Sequence, residues 1–133
     1  MRLQQNSSRI GKRYGGTLMS QSKIIRAEDM PTYEPGGHKG TVNRRLLRTD
    51  RLEVVLGVIS HGGGAEDHVH KELDQIVYVI SGRGKMEHNG KWVEVGPDSL
   101  AHFPRGVLHG GIEITGPDPL KLLIIYEPPL SKG

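Results

Sequence analysis

The sequence predicts an all-β fold. From residue 44 onward it consists of short segments that are apolar or alternate between apolar and polar residues, and glycine, proline and asparagine separate these segments. Closely spaced segments of this kind, bounded by turn residues, are typical of antiparallel strands. No stretch requires a helix of substance. The strands are predicted at residues 44–48, 52–60, 67–70, 75–81, 84–88, 91–95, 99–103, 111–115 and 120–127.

The segments between these strands carry turn signals. Asn89-Gly90 separates two alternating runs, and a tight hairpin turn requires positive φ at its two central residues, which asparagine and glycine adopt readily. We therefore expect 84–88 and 91–95 to pair. Further turns are predicted at 61–64, 96–98 and 116–119. Many short strands without helices fit a sandwich, a jelly roll or an up-and-down barrel equally well.

Length and composition restrict the function. A chain of 133 residues suits one domain. Cysteine is absent, which excludes disulfides and thiolate metal ligands and makes the seven histidines the residues of interest. No apolar run reaches about 18 residues, and the first residues lack the apolar centre of a secretory signal. We expect a cytoplasmic protein with no membrane partner.

The positive charge is unevenly distributed. Six basic residues precede Glu28, the first acidic one, so the rest of the chain is mildly acidic although the net charge is +3. Residues 1–27 are interpreted as a basic arm, either flexible or packed on a partner subunit, and alternatively as a transit-like or anion-binding segment. Residues 28–133 form the folded domain. No nucleic-acid binding is expected, because phosphate affinity requires many positive charges on one surface.

Histidines and glycines between residues 62 and 109 form a pattern with specific spacings. The pattern is Gly62-x5-His68-x-His70-x4-Gln75-x6-Gly82, followed by Pro104-Arg105-Gly106-Val107-Leu108-His109. It resembles the two motifs of the cupin superfamily, G(X)5HXH(X)3,4E(X)6G and G(X)5PXG(X)2H(X)3N. The resemblance implies a double-stranded β-helix, which is a jelly-roll barrel of two facing antiparallel sheets.

The resemblance also implies a metal site. His68 and His70 are two residues apart in a strand, so their imidazoles share one face and can reach one ion. Gln75 follows a kink at 71–74 and belongs to the inward set of the next strand, and the second motif brings His109 to the same point. The predicted ligands are His68, His70, Gln75 and His109, around one divalent ion that suits zinc, nickel, manganese, iron or copper.

Two departures from the family pattern affect this site. Gln75 stands where the family has glutamate, which leaves the charge of the ion unneutralised and favours an anionic, chelating ligand. Gln75 can alternatively be a buried amide that hydrogen-bonds a histidine outside the ligand set, and Asp74 can be the ligand if the kink shifts by one residue. The second departure is a longer stretch between Gly96 and Pro104, with Glu113 in place of asparagine.

Further residues are considered for catalysis, and none is assigned. His88 continues the inward set of its strand, where it can transfer protons near the barrel mouth, or else it is an exposed residue before a turn. Either Arg44 or Arg45 can direct its guanidinium at a substrate carboxylate, the other being solvated, or else both are surface residues. Tyr78 has the opposite parity to Gln75 and is interpreted as packing between sheets, with a possible role as general base.

The remaining side chains of interest are given structural roles. His102 is interpreted as a packing residue, and His38 and His61 as loop residues without chemistry. Trp92 is either a subunit contact or part of the core. The residues expected to close the barrel are Val54, Leu56, Val58, Val77, Val79, Leu122 and Ile124.

The predicted function is a metal-dependent enzyme acting on a small anionic metabolite, such as a carboxylate, a sugar acid or an enolisable or phenolic compound. The ion would bind two substrate oxygens in isomerase, lyase or dioxygenase chemistry. The alternative is a non-catalytic binding or sensing module. A homodimer is also predicted, because a small jelly roll exposes sheet edges and an apolar outer face, and the arm around Ile24 and Ile25 can add a strand to the partner.

Overall fold

The computed structural model describes residues 13–14, 17–18, 21–65 and 67–130. Within these ranges the chain is almost entirely β, with one short 3-10 helix at Ala27–Asp29. Most of the predicted arm lies outside the described residues. The strands are β1 (Arg13–Tyr14), β2 (Thr17–Leu18), β3 (Thr32–Tyr33), β4 (His38–Arg48), β5 (Glu53–Ala65), β6 (His68–Val69), β7 (Asp74–Ser81), β8 (Gly84–His88), β9 (Lys91–Val95), β10 (Leu100–Phe103), β11 (Leu108–His109), β12 (Ile112–Ile114) and β13 (Leu120–Glu127).

The strands form two principal antiparallel sheets. The larger one has the order β10-β7-β13-β5-β4-β3, and the smaller one has the order β12-β8-β9. Short pairs join β11 to β6 and β1 to β2. The predicted hairpin is confirmed, since β8 pairs with β9 and both Asn89 (φ 51°) and Gly90 (φ 78°) adopt positive φ. The predicted jelly-roll architecture is thus present, and the described chain contains no helix with the length and apolar character needed to cross a membrane.

The turn predicted at 61–64 is wrong. Strand β5 continues through the glycine cluster to Ala65 and pairs with β4 beyond a register shift. Gly62 and Gly64 have positive φ, which lets the strand bend without ending. A Cβ atom at Gly63 would lie 2.6 Å from the carbonyl oxygen of Lys39, so glycine also permits the close approach of β4.

The apolar core lies between the sheets, and its residues correct part of the prediction. Val77, Val79, Leu122 and Ile124 are buried as expected. In β5 the predicted face is wrong, because Val54, Leu56 and Val58 are half-buried on the outer face of the sheet. The inward residues are Glu53, Val55, Gly57 and Ile59. Apolar residues occupy both faces of β5, so alternation alone did not identify the inner one.

Candidate metal site and cavity

A cavity of about 1030 Å³ lies between the sheets. Inward residues of β4, β5, β7 and β13 form its walls, and the segment 30–38 contributes to its lining. Many of the side chains that line the cavity are polar. The polar and ionisable residues among its lining are Tyr33, Glu34, His38, Thr41, Asn43, Arg45, Glu53, Asp67, His70, Gln75, His109 and Tyr126.

Pairing of β6 with β11 brings the two sequence motifs together. His109 is the direct Cα partner of His68, and Leu108 is the partner of Val69. The backbone positions of the first and last predicted ligands are thus adjacent, although 41 positions separate them in the sequence. The side chain of His68 lies outside the described part of the chain, so its role as a ligand stays a prediction.

Gln75 faces the interior, as the parity argument predicts. It is buried, and its Oε1 lies 2.9 Å from Nε2 of His109. Nδ1 of His109 lies 3.2 Å from the carbonyl oxygen of Val107, and the ring stacks on Phe103 with a centroid distance of 4.8 Å. A carbonyl oxygen only accepts, so Nδ1 donates; in a neutral ring Nε2 then carries a lone pair directed at the amide.

This pair of atoms fits a metal ion. The 2.9 Å separation is an ordinary hydrogen-bond distance, which a protonated ring donating to Oε1 or an amide turned so that its NH2 group donates would satisfy, and it also suits two ligand atoms that share one cation. Ligand atoms at about 2.1 Å from an ion and at right angles to each other are about 3 Å apart. The observed separation of 2.9 Å matches this ligand–ligand distance, so His109 and Gln75 can bind one ion without rearrangement.

His70 adds a second described imidazole to the cluster. Its ring centroid lies 5.1 Å from that of His109 and 6.0 Å from that of Tyr126, which meets it edge-on. Among the described side chains, no group of three or more histidine, aspartate or glutamate residues is arranged to hold an ion. The described part of the predicted set therefore comprises two imidazoles and one amide.

Asp74, the alternative ligand, faces away from this cluster. Its carboxylate accepts hydrogen bonds from Arg105 Nε at 3.0 Å and from the backbone N–H of Arg105 at 3.2 Å. His102 Nε2 lies 3.2 Å from the other oxygen, Oδ2. The hydrogen bonds from Arg105 and then His102 hold the pKa of Asp74 below its usual value. His102 is thus an exposed partner of Asp74, contrary to the expectation that it is a packing residue.

The other histidines considered from the sequence lie mostly outside the cavity. Of the two interpretations of His88, the structure supports the exposed residue before a turn and not the inward one: the side chain is exposed beside the hairpin turn, with Nε2 3.1 Å from Asn89 Nδ2. His61 Nε2 lies 2.5 Å from the carbonyl oxygen of Gly116. His38 lines the cavity, which the sequence interpretation did not foresee.

Tyr78 and Trp92 also lie outside the cavity lining. The hydroxyl of Tyr78 donates to Asp98, and this hydrogen bond raises the pKa of the tyrosine. A residue bonded in this way at the outer side of β7 is poorly placed to act as a general base in the cavity. Trp92 is 49% exposed, so it belongs to the surface and not to the core.

Arg45 faces the cavity and Arg44 does not. Arg44 donates through Nη1 to the backbone carbonyl oxygens of Ala27 and Met30. It was expected to be solvated, and instead it is hydrogen-bonded to the backbone. Arg45 donates through Nε to Glu53 Oε2 at 2.9 Å. Arg45 is therefore the inward arginine, because it shares the face of β4 that carries the buried residues Thr41 and Asn43.

Glu53 is a buried charged residue of the cavity lining that sequence analysis missed. It is fully buried, and its other oxygen, Oε1, accepts from Arg48 Nη1 at 2.9 Å and from the backbone N–H of Leu130 at 3.2 Å. A buried carboxylate requires such partners, because an unpaired charge in the interior is costly. The signal in the sequence was a single acidic residue at the start of an apolar strand, which is more often a surface position.

Tyr126 lies between Gln75 and Glu53 in the larger sheet. In the register of the larger sheet, the Cα atom of Tyr126 is the partner of Gln75 on one side and of Glu53 on the other. Burial raises the pKa of Tyr126, and the nearby Tyr33 and Glu53 raise it further, so the hydroxyl stays protonated at neutral pH. The inner wall thus carries an amide, a phenol and a carboxylate on adjacent strands.

The barrel, with its imidazole and amide groups at the inner wall, defines a cupin-type domain. The chain belongs to the cupin family, since the family described as Cupin domain matches residues 55–126. No curated protein matches the chain.

Solved structures show the same fold. KdgF from a Halomonas species is 19% identical with a TM-score of 0.74, and the match covers 84% of this chain and 98% of that one. The polyketide cyclase RemF from Streptomyces resistomycificus is 23% identical with a TM-score of 0.71, over 80% of each chain. BH2720 from Bacillus halodurans is 36% identical with a TM-score of 0.61, over 66% of this chain and 70% of that one.

Proposed function

We propose that the protein is a metal-dependent enzyme acting on a small anionic metabolite, such as a carboxylate, a sugar acid or an enolisable or phenolic compound. The observation that carries this proposal is the convergence of His70, Gln75 and His109 at the wall of a large cavity, with His109 Nε2 2.9 Å from Gln75 Oε1 and the two imidazole rings 5.1 Å apart. The similarity in fold to RemF, a polyketide cyclase, supports an enzymatic function.

The chain's own residues define the chemistry of the site. His70, His109 and Gln75, with the predicted His68, would hold one divalent ion, which as a Lewis acid would bind two substrate oxygens and stabilise a developing enolate or similar oxyanion. All of these ligands are neutral, so the centre keeps its positive charge and attracts an anion. The ring of Tyr126 lies beside that of His70, and its hydroxyl, which stays protonated at neutral pH, would be available to donate a hydrogen bond to a ligand in the cavity.

Elemental analysis of protein purified without an affinity metal, followed by chelation and reconstitution, tests this proposal. We expect about one divalent ion per chain, loss of turnover on chelation and recovery with one added metal. Oxygen uptake during a screen of acids, sugar acids and phenols would select dioxygenase over isomerase or lyase chemistry. A protein with stoichiometric metal and no turnover on any of these compounds contradicts the enzymatic proposal.

A non-catalytic binding or sensing function is the second candidate. The observation that favours it is the state of two ionisable groups in the cavity lining. Glu53 is bonded by two arginines, and Tyr126 stays protonated at neutral pH, so neither is a ready general base. In this case a ligand would bind tightly to the metal-loaded protein and be recovered unchanged.

We also propose that the protein forms a homodimer. The outer face of the larger sheet carries a cross-strand row of large side chains, Leu100, Tyr78, Leu123 and Leu56, on four adjacent strands. Leu100 is 63% exposed, and Ile24, in the last part of the proposed 1–27 arm, is 98% exposed. Apolar surfaces of this kind are commonly covered by a second subunit.

A further inference from the structure

The side chain of Asn43 has an unsatisfied acceptor at the cavity wall. Asn43 is 5% exposed and lines the cavity, and its Oδ1 is buried without a hydrogen-bond partner among the described residues. Leaving a buried polar atom unpaired costs free energy, so native proteins rarely keep one without a reason. A ligand hydroxyl or N–H group that enters the cavity would supply the missing donor.

The fold makes room for this amide. Gly57 on β5 is the Cα partner of Asn43, and a Cβ atom at position 57 would lie 2.7 Å from Asn43 Oδ1. Any side chain at this position would therefore displace the amide from its present place. The glycine leaves room for the unpaired acceptor, which belongs to a buried side chain and not to an exposed one.

Arg45 places a positive charge beside this acceptor. It lies two residues along the same face of β4, and it also lines the cavity. Its bond to Glu53 uses Nε, and within the described residues no hydrogen bond occupies Nη1 or Nη2. Arg48 is bonded to both Glu53 and the carbonyl oxygen of Leu130. Glu53 neutralises one of the two arginines, so the surplus charge of this cluster is available on Arg45.

We propose that Asn43 and Arg45 form a second ligand subsite, which takes an anionic oxygen on Arg45 and an adjacent hydroxyl group on Asn43 Oδ1. The substrate class implied is a hydroxy acid whose carboxylate end is bound away from the metal. This inference deepens the proposed function and rests on it only for the placement of the substrate's other end.

The sheet register sets the separation of the two subsites. Gln75 lies on β7 and the proposed subsite on β4, with β13 and β5 between them. Adjacent strands are about 4.8 Å apart, so the two backbones are on the order of 14 Å apart. A chain of about six carbons, together with the inward-reaching side chains, spans this distance. The proposed subsite therefore selects a ligand that is long enough to touch both walls.

Gluconate, hexanoate and sorbitol test this proposal as probes of similar length. Gluconate has both a carboxylate and hydroxyl groups, hexanoate lacks the hydroxyls, and sorbitol lacks the charge. Protein-detected NMR titration of the full chain is to be run in a chelator-treated form and a zinc-loaded form. We expect gluconate to bind the chelator-treated form at least about tenfold more tightly than either other probe, since one good polar contact contributes roughly this factor.

Single substitutions then assign the contacts. Asn43→Val and Arg45→Met should each weaken gluconate binding at least about fivefold, whereas Arg51→Met, which removes one positive charge from an exposed turn, should leave it unchanged. Asn43→Val should also raise the melting temperature, because it removes an unpaired polar atom. Thr41→Val is the matched comparison and should lower it, since Thr41 Oγ1 already donates to the carbonyl oxygen of Lys39.

The outcomes separate this inference from the proposed function. Equal affinity for hexanoate and gluconate, or unchanged gluconate affinity in either variant, overturns the second subsite. A lower melting temperature for Asn43→Val would show that Oδ1 has a partner within the protein and would overturn it as well. Gluconate binding that depends on both residues in a chain that takes up no zinc supports the subsite while the metal-dependent function fails. Zinc uptake without gluconate binding to either form overturns the subsite alone.

Discussion

His109 Nε2 lies 2.9 Å from Gln75 Oε1, although 34 positions separate the two residues in the chain. The contact depends on two separate pairings. Strand β10 runs beside β7, with Phe103 opposite Gln75, and β11 runs beside β6. The ring of His109 is held between Phe103 and the backbone of Val107, so Nε2 has little freedom to turn away. This fixed pair is the basis of the first two predictions.

Removing a predicted imidazole should release the metal and leave the barrel folded. His68→Ala, His70→Ala and His109→Ala should each reduce bound metal to well below one ion per chain, because three remaining donors and a water must then satisfy the ion. The far-UV circular dichroism should stay that of a β protein, since an apolar core closes the barrel. Elemental analysis measures the loss. His88→Ala and His102→Ala are the controls, and equal loss of metal in either would refute the assignment of the ligands.

Substitutions at Gln75 should change the site in graded steps. Gln75→Ala should weaken metal binding less than a histidine variant, because water can replace a neutral amide oxygen. Gln75→Glu adds a negative charge, so it should tighten the metal and weaken an anionic ligand. Competition titration with a chelator gives both affinities. Asp74→Asn is the matched control, and a similar effect there would mean that Asp74 and not Gln75 contacts the ion.

Glu53 should be important for stability. Glu53→Leu leaves Arg45 and Arg48 without their shared carboxylate, and about 2–3 kcal/mol of the free energy of unfolding should be lost, less than for a fully buried pair because both arginines are about one third exposed. Urea unfolding measures the change. Glu113→Gln, at an exposed position of β12, should stay within about 0.5 kcal/mol of the parent. Equal effects of the two substitutions would contradict the role given to Glu53.

Tyr126 should make the folded state less stable in alkaline solution. Its pKa is raised in the folded protein, while in the unfolded chain the hydroxyl ionises near pH 10. Above about pH 10 the unfolded state therefore loses a proton that the folded state keeps, and the free energy of unfolding falls as the pH rises. Tyr126→Phe should reduce this fall and leave its slope near pH 7 unchanged. An identical alkaline fall in the variant, measured by urea unfolding at several pH values, would show that the hydroxyl is not buried in solution.

The dimer should depend on the outer face of the larger sheet. Leu123→Glu places a charge in the middle of the apolar row and should halve the mass measured by light scattering at micromolar concentration, with an unchanged circular dichroism spectrum. Leu108→Glu is the control, because Leu108 is 61% exposed but lies on β11, outside the larger sheet. A monomeric parent protein would refute the homodimer.

Local signals in the sequence determined much of the fold. The Asn89-Gly90 turn, the spans of β8, β9 and β13, and the inward set headed by Gln75 followed from turn chemistry and strand alternation, which act over a few residues. The histidine spacing and the cupin motifs indicated which residues belong to one site. These features are readable because a strand repeats every two residues and a tight turn has strict requirements for φ.

Tertiary structure decided the features that the alternation of apolar and polar residues did not determine. The inward face of β5, the bend through Gly62 and Gly64, and the outward direction of Asp74 depend on partners that are distant in sequence. Glu53 can be buried only because Arg45, Arg48 and the backbone of Leu130 meet it there, 77 positions away in the last case. The cost of burying a charge or a polar atom is offset by groups that only the folded chain brings into contact, so their positions cannot be read from neighbouring residues.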